Sequence, residues 1–158
     1  MKVHEGSLDG AGLRVALVAA RFNEVAVRPL VDGARDCLLR HGVAEDDLEL
    51  AWVPGSWELP VVVQRLAARG DVDAIVALGV VVRGQTAHFD YVAGQAALTG
   101  RISVETGVPV GFGVLTTETW EQAVDRAGGK LGNTGWEAAL AAIETARVLR
   151  SVDHRPTG

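Results

Sequence analysis

The 158-residue sequence contains a single cysteine, Cys37, so no disulfide can form within the chain and a cysteine-rich zinc cage is excluded. Its neighbours Asp36, Leu38 and Leu39 place it in a helical pattern, which makes it a packing residue rather than a nucleophile. Lysine is almost as scarce, with only Lys2 and Lys130. A reaction running through a Schiff base on the protein's own lysine would have almost no residue to use. Basic charge is not in excess either. With 15 Lys and Arg against 20 Asp and Glu the formal charge is −5, which offers no general field for DNA or RNA, although a local basic site can still hold a small anion. No apolar run approaches the roughly 20 residues of a membrane span. The opening Met1-Lys2-Val3-His4-Glu5-Gly6 lacks the apolar core of a secretory signal, so a cytoplasmic location is expected. No close His/Cys/Asp/Glu cluster has ligand spacing, and no metal is expected. The absence of a Gly-x-x-x-x-Gly-Lys-Ser/Thr signature argues against a P-loop nucleotide hydrolase.

What is present reads as one globular α/β domain over residues 1–158. After a polar lead-in over residues 1–12, Leu13–Ala20 is a near-continuous apolar run, and Leu48–Val53, Ala74–Leu78 and Val108–Leu115 are similar. Such runs suit parallel strands covered on both faces. Helical spacing fills the gaps. Leu30, Ala34, Cys37, Leu38 and His41 mark one helix that stops at Gly42, and Trp57–Arg69 marks another with Pro60 in its first turn. A third helix is expected over His88–Glu105. Thr119-Trp120-Glu121-Gln122 and Thr134-Gly135-Trp136-Glu137 each match a capping box, starting a short helix and a longer one to about Arg150. Ser151–Gly158 reads as a flexible tail. Strand–helix alternation implies right-handed crossovers and a parallel sheet between helical layers, with ligands beyond the carboxyl ends of the strands. Those ends are Arg21-Phe22-Asn23, Pro54 to Glu58, Val80 to His88, and Phe112 to Thr117, where glycines, polar groups and aromatics also collect.

In Arg83-Gly84-Gln85-Thr86-Ala87-His88, Gly84 permits close backbone approach and Thr86 is expected to cap the helix. The first N–H groups of that helix, aided by its dipole, fit an anion. Alone, this pattern is an ordinary cap more often than an anion site. His88, in the first turn, fits either a proton-transfer group or a plain helix-start histidine; it does not share a face with Asp90. His4, His41 and His154 read as structural or solvent-exposed. Arg126, ahead of Gly128-Gly129-Lys130, can clamp a phosphate or simply be solvated, and Lys130 has the same two readings. Phe22 and Trp57 offer flat faces for a heteroaromatic ring, or packing. Glu58 is either an acceptor or compensation of a helix dipole. Trp52, Trp120 and Trp136 read as packing residues.

Together these segments resemble the 6,7-dimethyl-8-ribityllumazine synthase family. The resemblance is carried by Arg21-Phe22-Asn23, Val53 to Pro60, Ala77-Leu78-Gly79, Arg83 to Tyr91, Phe112 to Thr117, and Gly132-Asn133 to Glu137, in family order over roughly residues 13–148. It implies a flavodoxin-like three-layer sandwich, with a four-stranded parallel sheet in the order 2-1-3-4 and helices on both faces. It implies condensation of 5-amino-6-(D-ribitylamino)uracil with L-3,4-dihydroxy-2-butanone 4-phosphate, with loss of phosphate and water and without a cofactor. The substrate's own amine forms the imine, which accommodates the shortage of lysine.

Carried over by the resemblance, Phe22 stacks on the pyrimidine, while Ser56, Trp57 and Glu58 hold the ring and ribityl chain. Val80 and Val82 flank the ring, Gln85 and Thr86 meet the phosphate, His88 transfers protons and Arg126 pairs with the phosphate. Phe112 is contributed by a neighbouring subunit. Two departures stand out: Trp57 lies where the family often has phenylalanine, and Thr134 where many members have lysine. The resemblance also implies a homo-oligomer, a pentamer. The short Gly128–Asn133 connection is similar to that of members forming sixty-subunit icosahedral shells. A noncatalytic phosphate- or flavin-binding protein on the same scaffold, a shell without activity, and a related decameric or archaeal-type synthase are the rival readings. His88 together with Arg126 favours the enzyme.

Overall fold

The computed structural model describes residues 1–154. Its element order alternates strand and helix, beginning with β1 (Val15–Ala20), α1 (Glu24–Arg40), β2 (Leu48–Val53), α2 (Leu59–Arg69), β3 (Ala74–Val82) and α3 (His88–Thr106). β4 (Val110–Thr117), α4 (Trp120–Arg126), a small hairpin of β5 (Ala127–Gly129) and β6 (Gly132–Asn133), and α5 (Thr134–Asp153) complete it. β1 to β4 form a parallel four-stranded sheet in the order 2-1-3-4, the flavodoxin-like arrangement.

The apolar runs become strands because both faces of the sheet are covered. Val15, Leu17 and Ala19 of β1 point into a core with α1 and α5, and Ala16, Val18 and Ala20 into a second core with α2 and α3. Every residue of β1 is buried, so the strand shows no polar alternation. Close helix–sheet packing depends on small residues. A Cβ at Gly111 would run into the Ala138 carbonyl, and one at Gly135 into the Leu30 carbonyl, where α5 crosses β4 and α1.

Several boundaries differ from expectation. β3 runs through Val82 rather than stopping at Leu78, and β4 spans Val110–Thr117, because Gly79–Val82 pair with Val114–Thr117. Val80 and Val82 therefore belong to a strand. Ser56–Glu58 make a 3₁₀ turn before α2, which begins at Leu59 with Pro60 in its first turn. Thr86 does not cap α3: that position is Ala87, and Thr86 Oγ1 only accepts from His88 N–H at 3.4 Å. Thr119 does cap α4, with Gln122 completing the box. At α5 the cap is Asn133, not Thr134. Its side-chain oxygen accepts from Trp136 N–H at 3.1 Å, while its amide donates to the Pro29 carbonyl at 2.9 Å. The last helix also continues past Arg150: Ser151–Asp153 are helical, and His4 Nδ1 lies 2.8 Å from Ser151 Oγ. Residues 155–158, the rest of the expected tail, lie outside the described residues. Trp52 and Trp136 pack on the α1/α5 core as expected, whereas Trp120 stands exposed on α4. No helix among the described residues is long and apolar enough to cross a membrane.

Candidate active site

The carboxyl ends of all four strands lie at one edge of the sheet. There the strand pairing extends a residue or two beyond the strands: Arg21 N–H donates to the Val53 carbonyl, Phe22 N–H to Pro54, and Arg83 N–H to Thr117. The chain then turns away from the sheet at each end, and the turns wall a cleft of about 770 Å³. Phe22 and Asn23 follow β1, and Pro54 to Glu58 follow β2. Val80, Val81 and Val82 end β3, and Gly84, Thr86, His88, Phe89 and Val92 bring in the next loop and α3.

Each wall has a local cause. Asn23 takes a left-handed conformation, φ 63° and ψ 35°, which swings Phe22 outward before α1 starts. Asparagine tolerates that region better than most side chains. The Phe22 ring is 72% exposed and Trp57 50%, so two aromatic faces open to the cleft rather than to a core. Ser56 is buried, and its hydroxyl occupies the space that a Cβ at Gly79 would need. That close approach explains the glycine in Ala77-Leu78-Gly79. Glu58 Oε2 accepts from Gly55 N–H at 3.0 Å, which closes the turn and fixes one carboxylate oxygen. His88 is the first residue of α3 and is exposed at the cleft. Asp90 faces away from it toward Arg83, at 3.5 Å, so the two form no dyad.

Eight of the residues singled out from sequence thus converge in one chain: Phe22, Ser56, Trp57, Glu58, Val80, Val82, Thr86 and His88. Three do not line this cleft. Gln85 is exposed in the 83–87 loop, and Phe112 is 45% exposed on the edge strand β4. Arg126 ends α4, where its Nη1 donates to the Gln122 carbonyl at 3.1 Å. Lys130 pairs with Asp125 at 3.6 Å. Among residues not singled out, Asn23, Phe89 and Val92 join the cleft. Asparagine before a helix was a usable signal for the first, and apolar spacing along α3 for the other two.

The cleft combines stacking faces, fixed polar groups, a helix start and an exposed imidazole. That set can bind a flat polar ring beside an anion and move protons between them. Cys37 plays no part in it. It is buried on the inner face of α1, and its thiol is pushed up to about 11, first by burial and then by the charge of Asp36. Among the described residues no three His, Cys, Asp or Glu side chains gather as a metal site requires.

The sequence profile described as 6,7-dimethyl-8-ribityllumazine synthase matches residues 12–150. A protein of Aquifex aeolicus (strain VF5) called 6,7-dimethyl-8-ribityllumazine synthase is 50% identical over 153 residues, covering 96% of this chain and 99% of that protein.

Proposed function

The chain belongs to the 6,7-dimethyl-8-ribityllumazine synthase family, and from that premise we propose that its reaction takes place in the cleft at the carboxyl end of the sheet. The activity is the condensation of 5-amino-6-(D-ribitylamino)uracil with L-3,4-dihydroxy-2-butanone 4-phosphate, a transferase reaction of riboflavin biosynthesis. The observation carrying the placement is the meeting of Phe22, Trp57 and His88 on one cleft that also takes in the start of α3.

The pyrimidine stacks against Phe22, with Trp57 beside it and Val80 and Val82 flanking. Ser56 and Glu58 hold polar groups of the ring and ribityl chain. Gln85 and Thr86 at the start of α3 receive the phosphate, and Arg126 adds a guanidinium to it. The substrate's amine adds to the ketone of the four-carbon phosphate and water leaves to give the imine. A proton is then removed from the adjoining carbon as phosphate departs with the electron pair of its C–O bond. That leaves an enol on the carbon that carried the hydroxyl, and a proton returned to its methylene end converts it to a ketone. The ribityl-bearing nitrogen closes the ring on this new carbonyl, and a second water leaves. His88 stands where it can take and return these protons. Two substrates held in order supply much of the acceleration without any covalent bond to the enzyme.

The working site is shared between copies of the chain. Phe112 lies outside the cleft of its own chain with its ring half exposed, and Leu98, Val104, Trp120 and Val124 leave further apolar surface on α3 and α4. Burying such surface favours association, and a neighbour's Phe112 then closes the site. The oligomer is a pentamer, assembled into a sixty-subunit shell. Purified protein mixed with both substrates is expected to yield the lumazine chromophore and phosphate in equal amounts, faster than the uncatalysed condensation. Product at only the uncatalysed rate would overturn the proposal.

A further inference from the structure

The loop that carries Thr86 and His88 is poorly held by packing. Residues 83–88 are all exposed, and a Cβ built on Gly84 meets no atom within 4 Å. One side chain closes it from both ends. Arg83, just before the loop, sets its guanidinium 4.3 Å from the centre of the Phe89 ring and 3.5 Å from Asp90 Oδ1, both just after it. The same guanidinium donates through Nε to Glu118 Oε1 at 3.1 Å, with Oε2 of that carboxylate 2.9 Å away as an ion pair. Glu118 is itself anchored, because its backbone N–H donates to Gln122 Oε1 of the α4 capping box at 3.0 Å.

We infer that Arg83 is a positioning residue that fixes the 84–88 loop and the start of α3 against the β4–α4 connection. With two carboxylates on its guanidinium it is already neutralised, which makes it a poor phosphate ligand and a good clamp. Its partners join the loop to the β4–α4 connection, so the start of α3 keeps one position beside the strand ends. Exposed ion pairs taken singly contribute little to stability. The consequence of losing the clamp therefore falls on geometry, to which reaction rates are far more sensitive. The inference rests on the assignment of Thr86 and His88 to the reaction.

The test is steady-state kinetics on the assembled enzyme with Arg83→Met, Arg83→Lys, Glu118→Gln and the double variant Arg83→Met/Glu118→Gln, alongside thermal unfolding. Arg83→Met and Glu118→Gln are each expected to raise KM for the phosphate substrate and lower kcat, by roughly five- to tenfold. The KM for the pyrimidine stays unchanged and the thermal midpoint moves little. The double variant is no worse than Arg83→Met alone, and Arg83→Lys recovers part of the loss. A silent Glu118→Gln beside a damaging Arg83→Met would overturn the clamp in favour of direct phosphate contact. Equal loss for both substrates with a collapsed thermal midpoint would overturn it in favour of a general folding role. Thr86→Ala and His88→Ala, run in parallel, separate the two levels of the proposal. If they change the kinetics and the Arg83 and Glu118 variants do not, the clamp is wrong and the site stands. If all are silent, the site assignment fails and the clamp with it.

Discussion

Asn23 Nδ2 donates to the Val80 carbonyl at 2.8 Å, tying the end of β1 to the end of β3 where both line the cleft. Asn23 is also the one non-glycine residue with positive φ among the described residues. Its side chain therefore does two things: it tolerates the turn, and it braces the wall behind Phe22. Asn23→Ala loses both and is expected to cost about 1–3 kcal/mol, seen as a lower thermal midpoint. Asn23→Gly keeps the backbone freedom and loses only the bond, so its midpoint falls less. Both raise KM for the pyrimidine. Equal midpoints for the two variants would show that the backbone conformation carries no strain worth relieving.

Cys37 supplies a pH-dependent check on the packing of α1. A thiol whose folded value lies above its unfolded one favours the folded state while it is protonated. That contribution is complete below about 9 and is lost as pH rises toward about 11. Thermal midpoints are expected to fall across that interval. At neutral pH a thiol reagent labels native protein only as fast as the protein opens, and labels urea-unfolded protein at once. Rapid labelling of the native protein would contradict the buried placement.

Arg126→Ala removes a cation from the proposed phosphate site and leaves the aromatic wall intact. KM for the phosphate substrate is expected to rise about ten- to a hundredfold, the range for losing a charge-assisted hydrogen bond. The pyrimidine KM stays near wild type. A parallel rise in both would place Arg126 outside the phosphate site.

The strands were legible because burial on both faces leaves unbroken apolar runs, and Val15–Ala20 is the clearest case. The gathering of candidate residues at their ends was legible too, since Phe22, Ser56, Trp57, Glu58 and His88 all line one cleft. What stayed hidden is decided by partners distant in sequence. Asn133 and Thr134 are both cap-forming residues; Asn133 wins because its amide also reaches Pro29, more than a hundred positions away. Gly79–Val82 looked like a loop until β4 paired with them. Arg83 stood inside a recognised motif, but its role depends on Glu118 across a strand connection, which spacing does not reveal.

Light scattering measures the assembly directly. A sixty-chain particle is expected. A particle of pentamer mass would contradict the shell and keep the shared site, while a single chain would remove Phe112 of a neighbour from the chemistry.

In the proposed reaction the exposed imidazole of His88, at the start of α3, moves protons during the condensation. The most direct measurement is the full steady-state comparison of His88→Ala with wild type, both substrates varied and the uncatalysed rate subtracted. The expected result is a kcat lower by about ten- to a hundredfold, toward the low end for losing a proton-transfer group because ordered binding still accelerates the reaction. The KM for the pyrimidine stays close to wild type. Kinetics equal to wild type would contradict the role assigned to His88.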